Sequence, residues 1–151
     1  MRKNFLIFSC FIFMILILNG CSIEGLKPLS KEEISQIKQK VEASKLIVLD
    51  VYHNHCESCK YIEPQLEKLK VIYSRTNDVV FLKYDLSNPF SVANSRAIAK
   101  ELGLENIYKA QRFSGVVIFI DSKTKEILDT LVAEYDASKY VAAIDKHLVK
   151  K

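Results

Sequence analysis

Cys56 and Cys59 are separated only by Glu57 and Ser58, and His53 and His55 stand just upstream. Two thiols at this spacing can cycle between dithiol and disulfide, or can share a metal. With the imidazoles they supply two nitrogens and two sulfurs within seven residues. Zinc takes such a set tetrahedrally, and Cu(I) favours its thiolates. A structural staple is a poor use of the pair, because a bond closing so short a loop removes little entropy from the unfolded chain. Exchange chemistry needs a thiolate at the attacking sulfur and a base for the second thiol. Asp50, six residues before Cys56, offers that base. It interrupts the apolar run LIVLDVY, and burial raises the proton affinity of a carboxylate towards neutral pH.

The other two cysteines lie in a different kind of sequence. Arg2 and Lys3 precede a run of 14 residues, Phe5 to Leu18, that is apolar almost throughout and holds Cys10. This is short for a membrane span and suits the core of a signal peptide. The run ends in Leu18-Asn19-Gly20-Cys21, which resembles the bacterial lipobox. That resemblance implies cleavage before Cys21, lipidation of Cys21 and a stable acyl anchor. The organisation expected is a signal peptide over 1–20, a lipidated tether over 21–29 and one domain over 30–151. The location expected is a bacterial cell envelope, with the domain lipid-anchored and facing the periplasm or the exterior. Disulfides form and persist in such a compartment. Loss of the first twenty residues lowers the formal net charge from +4 to +2. The remaining charges are interspersed, which excludes a nucleic-acid partner of the electrostatic kind.

The elements that must position the cysteines are legible as alternating helices and strands. Ser30-x-x-Glu33 is a capping box, and Ile34, Ile37 and Val41 follow at helical spacing. Leu46 to Tyr52 reads as a strand buried on both faces. Glu57 to about Ser74 reads as a helix with Ile62, Leu66 and Leu69 on one side, and with Pro64 inside it as a kink. Val79 to Asp85 is a second strand, Ser91 to Leu102 a helix ended by Gly103, and Gly115 to Asp121 a third strand. Glu126 to Val132 completes a hairpin, and Asp136 or Ser138 caps a last helix that runs to about Val149. The pattern predicts an α/β domain whose strand–helix–strand units pair in parallel, with an antiparallel edge from the hairpin. No glycine-rich phosphate loop is present, and no cofactor is called for.

Over roughly Ser30 to Val149 the chain resembles the thioredoxin superfamily, and in particular its membrane-anchored bacterial members. A CxxC follows a buried strand and opens a helix, Asp50 falls where the family keeps a buried aspartate, Pro64 where it keeps the kinking proline, and Lys83 where a lysine lies beside that aspartate. The resemblance implies a thioredoxin-like fold, a central mixed β-sheet flanked by helices. It implies a redox disulfide between Cys56 and Cys59, with Cys56 as nucleophile, Cys59 as resolving thiol, Asp50 as base and Lys83 as its moderator. Three departures stand out. His55 replaces the family's tryptophan, Glu57-Ser58 replaces Gly-Pro, and Ser114 replaces the cis-proline of the substrate-binding loop, here Ser114 and Gly115. About six extra residues lie within Glu105 to Arg112.

The function expected is therefore extracytoplasmic thiol–disulfide exchange, as reductant or isomerase, on protein substrates that carry disulfides. A reductant in that compartment needs a membrane thiol electron donor, and the anchor makes the membrane itself a partner. The alternatives are a copper or zinc protein that uses His53, His55, Cys56 and Cys59, and a non-catalytic thioredoxin-like interaction module.

Overall fold

The computed structural model describes residues 27–149. The signal-peptide reading and Cys21 fall outside the described residues. Among the described residues, no helix is long and apolar enough to cross a membrane.

Helix α1 (Lys31–Ala43) starts at the capping box read from the sequence. The Glu33 N–H donates to Ser30 Oγ (3.1 Å), and the Ser30 N–H donates to the Glu33 carboxylate (2.7 Å). Strand β1 (Leu46–Tyr52) leads to helix α2 (Glu57–Tyr73), with Cys56 at its N-cap and Pro64 inside it. Strand β2 (Val79–Asp85) is followed by helix α3 (Pro89–Leu102). That helix begins two residues before the expected Ser91, because Asn88 caps it and Pro89 fits its first turn, where no amide hydrogen is needed. Gly103 ends it at φ +70°, a conformation that glycine adopts without strain.

Helix α4 (Glu105–Ala110) comes next and was not foreseen. The extra residues before the third strand form a short helix that buries Tyr108 and tucks Ile107 against the core. Strands β3 (Val116–Asp121) and β4 (Ile127–Val132) form the hairpin, and helix α5 (Ala137–Val149) closes the domain. Asp136 supplies the cap of α5, since its carboxylate accepts the Ser138 N–H at 2.8 Å.

The sheet order is β2-β1-β3-β4. Strands β1 and β2 are parallel, but β3 runs antiparallel to β1, and β4 antiparallel to β3. This corrects the expectation of parallel pairing for the second strand–helix–strand unit. Two helical segments, not one, separate β2 from β3, and the chain enters β3 beside the end of β1. Val51 pairs with Val116, and the Gly115 N–H donates to the Val51 carbonyl at 2.8 Å.

Strand β1 is buried on both faces because helices cover both. Ile47, Leu49 and Val51 pack with Val41, Ala99, Leu102, Leu104 and Tyr108. Leu46 and Val48 pack on the other side with Ile62, Leu66, Leu69, Tyr140 and Ile144. Side chains alternate along a strand, so Asp50 shares the α2 face with Leu46 and Val48.

Candidate functional site

Cys56 and Cys59 are joined as a disulfide at the start of α2, with Cα atoms 5.3 Å apart. Cys56 is half-buried, whereas Cys59 is 1% exposed. The asymmetry follows from the helix. Cys56 is the cap and lies at the solvent end, while Cys59 is one turn in and faces β1. The Cys56 sulfur accepts the Cys59 N–H at 3.2 Å, so an otherwise unpaired helical amide points at it. A helix N-terminus favours the thiolate there once the disulfide opens. The Cys59 sulfur lies 3.9 Å from the Val51 carbonyl. Glu57, whose charge would oppose a thiolate, is instead paired with Lys60 at 2.9 Å, and both are exposed.

Ser114 and Gly115, the residues expected to form a substrate-binding loop, meet the disulfide from the other side. Gly115 has φ +78°, and a Cβ added to it would stand 3.0 Å from Ser58 Cβ and 3.4 Å from the Cys56 sulfur. Ser114 is half-buried beside it, and Phe113 is 77% exposed. No cis peptide bond occurs among the described residues, and the bond before Ser114, where no proline stands, is trans. On a third side, Tyr135 shares a hydrogen bond with the Ser58 hydroxyl at 3.1 Å, and its ring meets that of Tyr61 edge-on at 5.5 Å between centroids.

Asp50 is 6% exposed, and its Oδ1 has no hydrogen-bond partner. Burial lifts its carboxyl to about 6, Lys83 draws it down and Glu63 pushes it up. Lys83 is the register partner of Asp50 across β1 and β2. Yet its ammonium is bonded to Glu63 at 2.5 Å and lies 4.1 Å above the Tyr52 ring. Partial burial works against the Lys83 charge, but Glu63 outweighs it and holds the ammonium above its ordinary value.

The histidines do not join the sulfurs. His53 Nδ1 accepts the His55 N–H at 3.0 Å, and the two rings are 5.4 Å apart. Among the described residues no group of three or more His, Cys, Asp or Glu side chains is arranged to hold a metal ion. A cleft of about 520 Å³ lined by Arg96, Glu105, Tyr108 and Arg112 contains none of the residues around the disulfide.

Sequence reasoning missed Glu63 and Tyr135. Glu63 had a signal, because it lies four residues after Cys59 and so on the same stripe of α2. Tyr135 had none, being 77 residues from Ser58.

The family model described as thioredoxin matches residues 27–115. Thioredoxin F1 of Arabidopsis thaliana, a chloroplast protein, is 36% identical over 106 residues, covering 69% of this chain and 53% of its own. The chain belongs to the thioredoxin family. A chloroplast F-type thioredoxin of Brassica napus is 43% identical over 65 residues, which cover 43% of this chain and 31% of that protein. The thioredoxin Deadhead of Drosophila melanogaster shares the fold, with a TM-score of 0.50 at 21% identity, covering 80% of this chain and 96% of that one. The chain spans about half the length of the first curated relatives it matches. The bonded Cys56–Cys59 pair lies within the region that the thioredoxin model matches. The location expected from the first residues is corrected by these relatives. The Arabidopsis and Brassica proteins are chloroplast thioredoxins, and they point to a plastid-type location rather than to a lipid-anchored bacterial envelope.

Proposed function

We propose that the chain is a thiol–disulfide oxidoreductase that reduces or isomerises disulfides of protein substrates through Cys56 and Cys59. The observation that carries this reading is the asymmetric pair at the start of α2, one sulfur half-buried and the other 1% exposed over β1.

In the reduced protein the Cys56 thiolate attacks one sulfur of a substrate disulfide. The substrate's other sulfur leaves as a thiolate, and a mixed disulfide remains. Cys59 then gives up its proton, with Asp50 as the acceptor, and its thiolate attacks the Cys56 sulfur. The second substrate thiolate leaves and the Cys56–Cys59 bond forms. Two electrons pass from the dithiol to the substrate, and an external dithiol reductant must restore the starting state.

Gly115 keeps the approach to Cys56 open, because it puts no side chain against the sulfur. The exposed ring of Phe113 and the half-buried Ser114 border the same approach and are the residues a substrate chain would meet.

Equilibration of the protein in dithiothreitol redox buffers, with thiols counted, tests the reading. A reversible two-electron couple near the thioredoxin value of ~−270 mV is expected. A potential near the ~−120 mV of the strongest oxidases would exclude the reducing direction.

A further inference from the structure

Five charged side chains line one small cavity between α2, β1 and β2: Asp50, Glu63, Glu67, Lys70 and Lys83. Its volume is about 10 Å³, no more than a single water requires. Three carboxylates and two ammonium groups therefore border one small space, Asp50 from its buried end and the other four from partly exposed positions. The pairing is unequal. Lys70 is bonded to Glu67 at 2.6 Å, and Lys83 to Glu63 at 2.5 Å. Asp50 is the carboxylate left over, with Oδ1 buried and unpartnered.

This outcome is not dictated by the sheet. Asp50 and Lys83 are register partners on neighbouring strands and lie on the same face, the arrangement in which a direct pair would form. The helix supplies the competitor. Glu63, one turn beyond Cys59, reaches the ammonium from α2, and the Tyr52 ring supports it from below.

We propose that Glu63 is a positioning residue for the proton step: it engages the Lys83 ammonium that would otherwise neutralise Asp50, and so leaves Asp50 able to accept the Cys59 proton. The inference rests on the exchange mechanism proposed above, and it assigns that mechanism a residue outside the CxxC and the buried aspartate.

The groups that face Asp50 come from several elements and act on it with both signs. From β2 come Lys83, which favours the carboxylate, and Asp85, which opposes it. From α2 come Glu63, which opposes it, and Lys70, which favours it but is bonded to Glu67. From α5 comes Tyr140, held protonated by burial and, among other groups, by Asp50 itself. From β3 the register partner is Val117, which does not titrate. Removing the Glu63 charge subtracts a repulsion and frees a cation, and both effects lower the pH at which Asp50 ionises.

The test is the carboxyl carbon shift of Asp50 in the reduced full-length chain, followed against pH with no substrate present. Loss of the resonance in Asp50→Asn assigns it. In Glu63→Gln the midpoint is expected to fall by about one pH unit. A fall smaller than about half a unit, or a rise, overturns the proposal. Glu63→Ala serves if the glutamine variant does not fold. In a Lys83→Met background the fall must shrink, because only the direct repulsion remains to be removed. An equal fall in that background would also overturn the role assigned to Glu63. Disulfide exchange is measured separately on the same samples. A shifted midpoint in a protein without exchange would sink the oxidoreductase reading and leave the electrostatic one standing.

Discussion

Gly115 is packed against Cys56, so that a side chain there would touch the Cys56 sulfur and press on Ser58. A Cβ there would stand 3.4 Å from the sulfur and 3.0 Å from Ser58 Cβ, at a backbone φ of +78°. Gly115→Ala therefore meets both a steric and a conformational penalty. An L-residue in this left-handed region costs about 1–2 kcal/mol. The variant should lose about that much in a urea melt and should exchange disulfides more slowly. Unchanged stability and unchanged rate together would show that this contact does not shape the site.

The two cysteines should separate cleanly by exposure. Cys56→Ser is expected to abolish exchange, since Cys59 is 1% exposed and cannot reach a protein disulfide. Cys59→Ser should instead accumulate mixed disulfides, visible by mass spectrometry as covalent adducts on Cys56. Adducts formed on Cys59 in the Cys56→Ser protein would reverse the assignment.

Asp50 makes stability depend on pH with a definite sign. Its carboxyl ionises near 6 in the folded chain, against an ordinary value of 3.8. The native state therefore holds this proton more tightly, and its stabilising effect is complete below pH 3.8 and lost as pH rises through 6. Above that range an ionised, buried carboxylate costs on the order of 2–3 kcal/mol. Asp50→Asn should stabilise the oxidised protein by about that amount at pH 7.5, and by much less near pH 4. The same substitution should slow resolution of the mixed disulfide. Denaturant melts at the two pH values decide the first point, and a stabilisation that did not vary with pH would contradict it.

Ser30 offers a contrast. Its hydroxyl accepts the Glu33 N–H at the start of α1, away from the disulfide. Ser30→Ala should cost about 1 kcal/mol of stability and leave the exchange rate unchanged. A large loss of exchange in this variant would mean that α1 is coupled to the site in a way the packing does not suggest.

Much of the fold was legible because its signals are local. The capping box at Ser30, the apolar runs of β1 and β3, the helical stripe Ile62, Leu66, Leu69 and the αL residue Gly103 each act within a few positions. Helix α4 escaped because six residues carry less than two turns of periodicity, and its reason for being helical is the burial of Tyr108 against the core. The orientation of β3 escaped for a related reason. A run of apolar residues has no direction, and the usual parallel rule applies when one helix joins the strands.

By itself the sequence determined the chemistry available: two thiols at the mouth of a helix, an aspartate inside a buried strand six residues earlier, and a lysine on the next strand. Those follow from residue type and short spacing. Tertiary structure alone decided which groups meet. The antiparallel entry of β3 brings Gly115 to Cys56, whereas a parallel β3 would start at the opposite end of β1, roughly 20 Å away at ~3.3 Å per residue. Tyr135 reaches Ser58 across 77 positions. The contest for Lys83 was settled by packing α2 over the sheet, which delivered Glu63 to the ammonium and left Asp50 without it. Register fixes what a strand residue lies beside, but only the element packed above it fixes what its charge is bonded to.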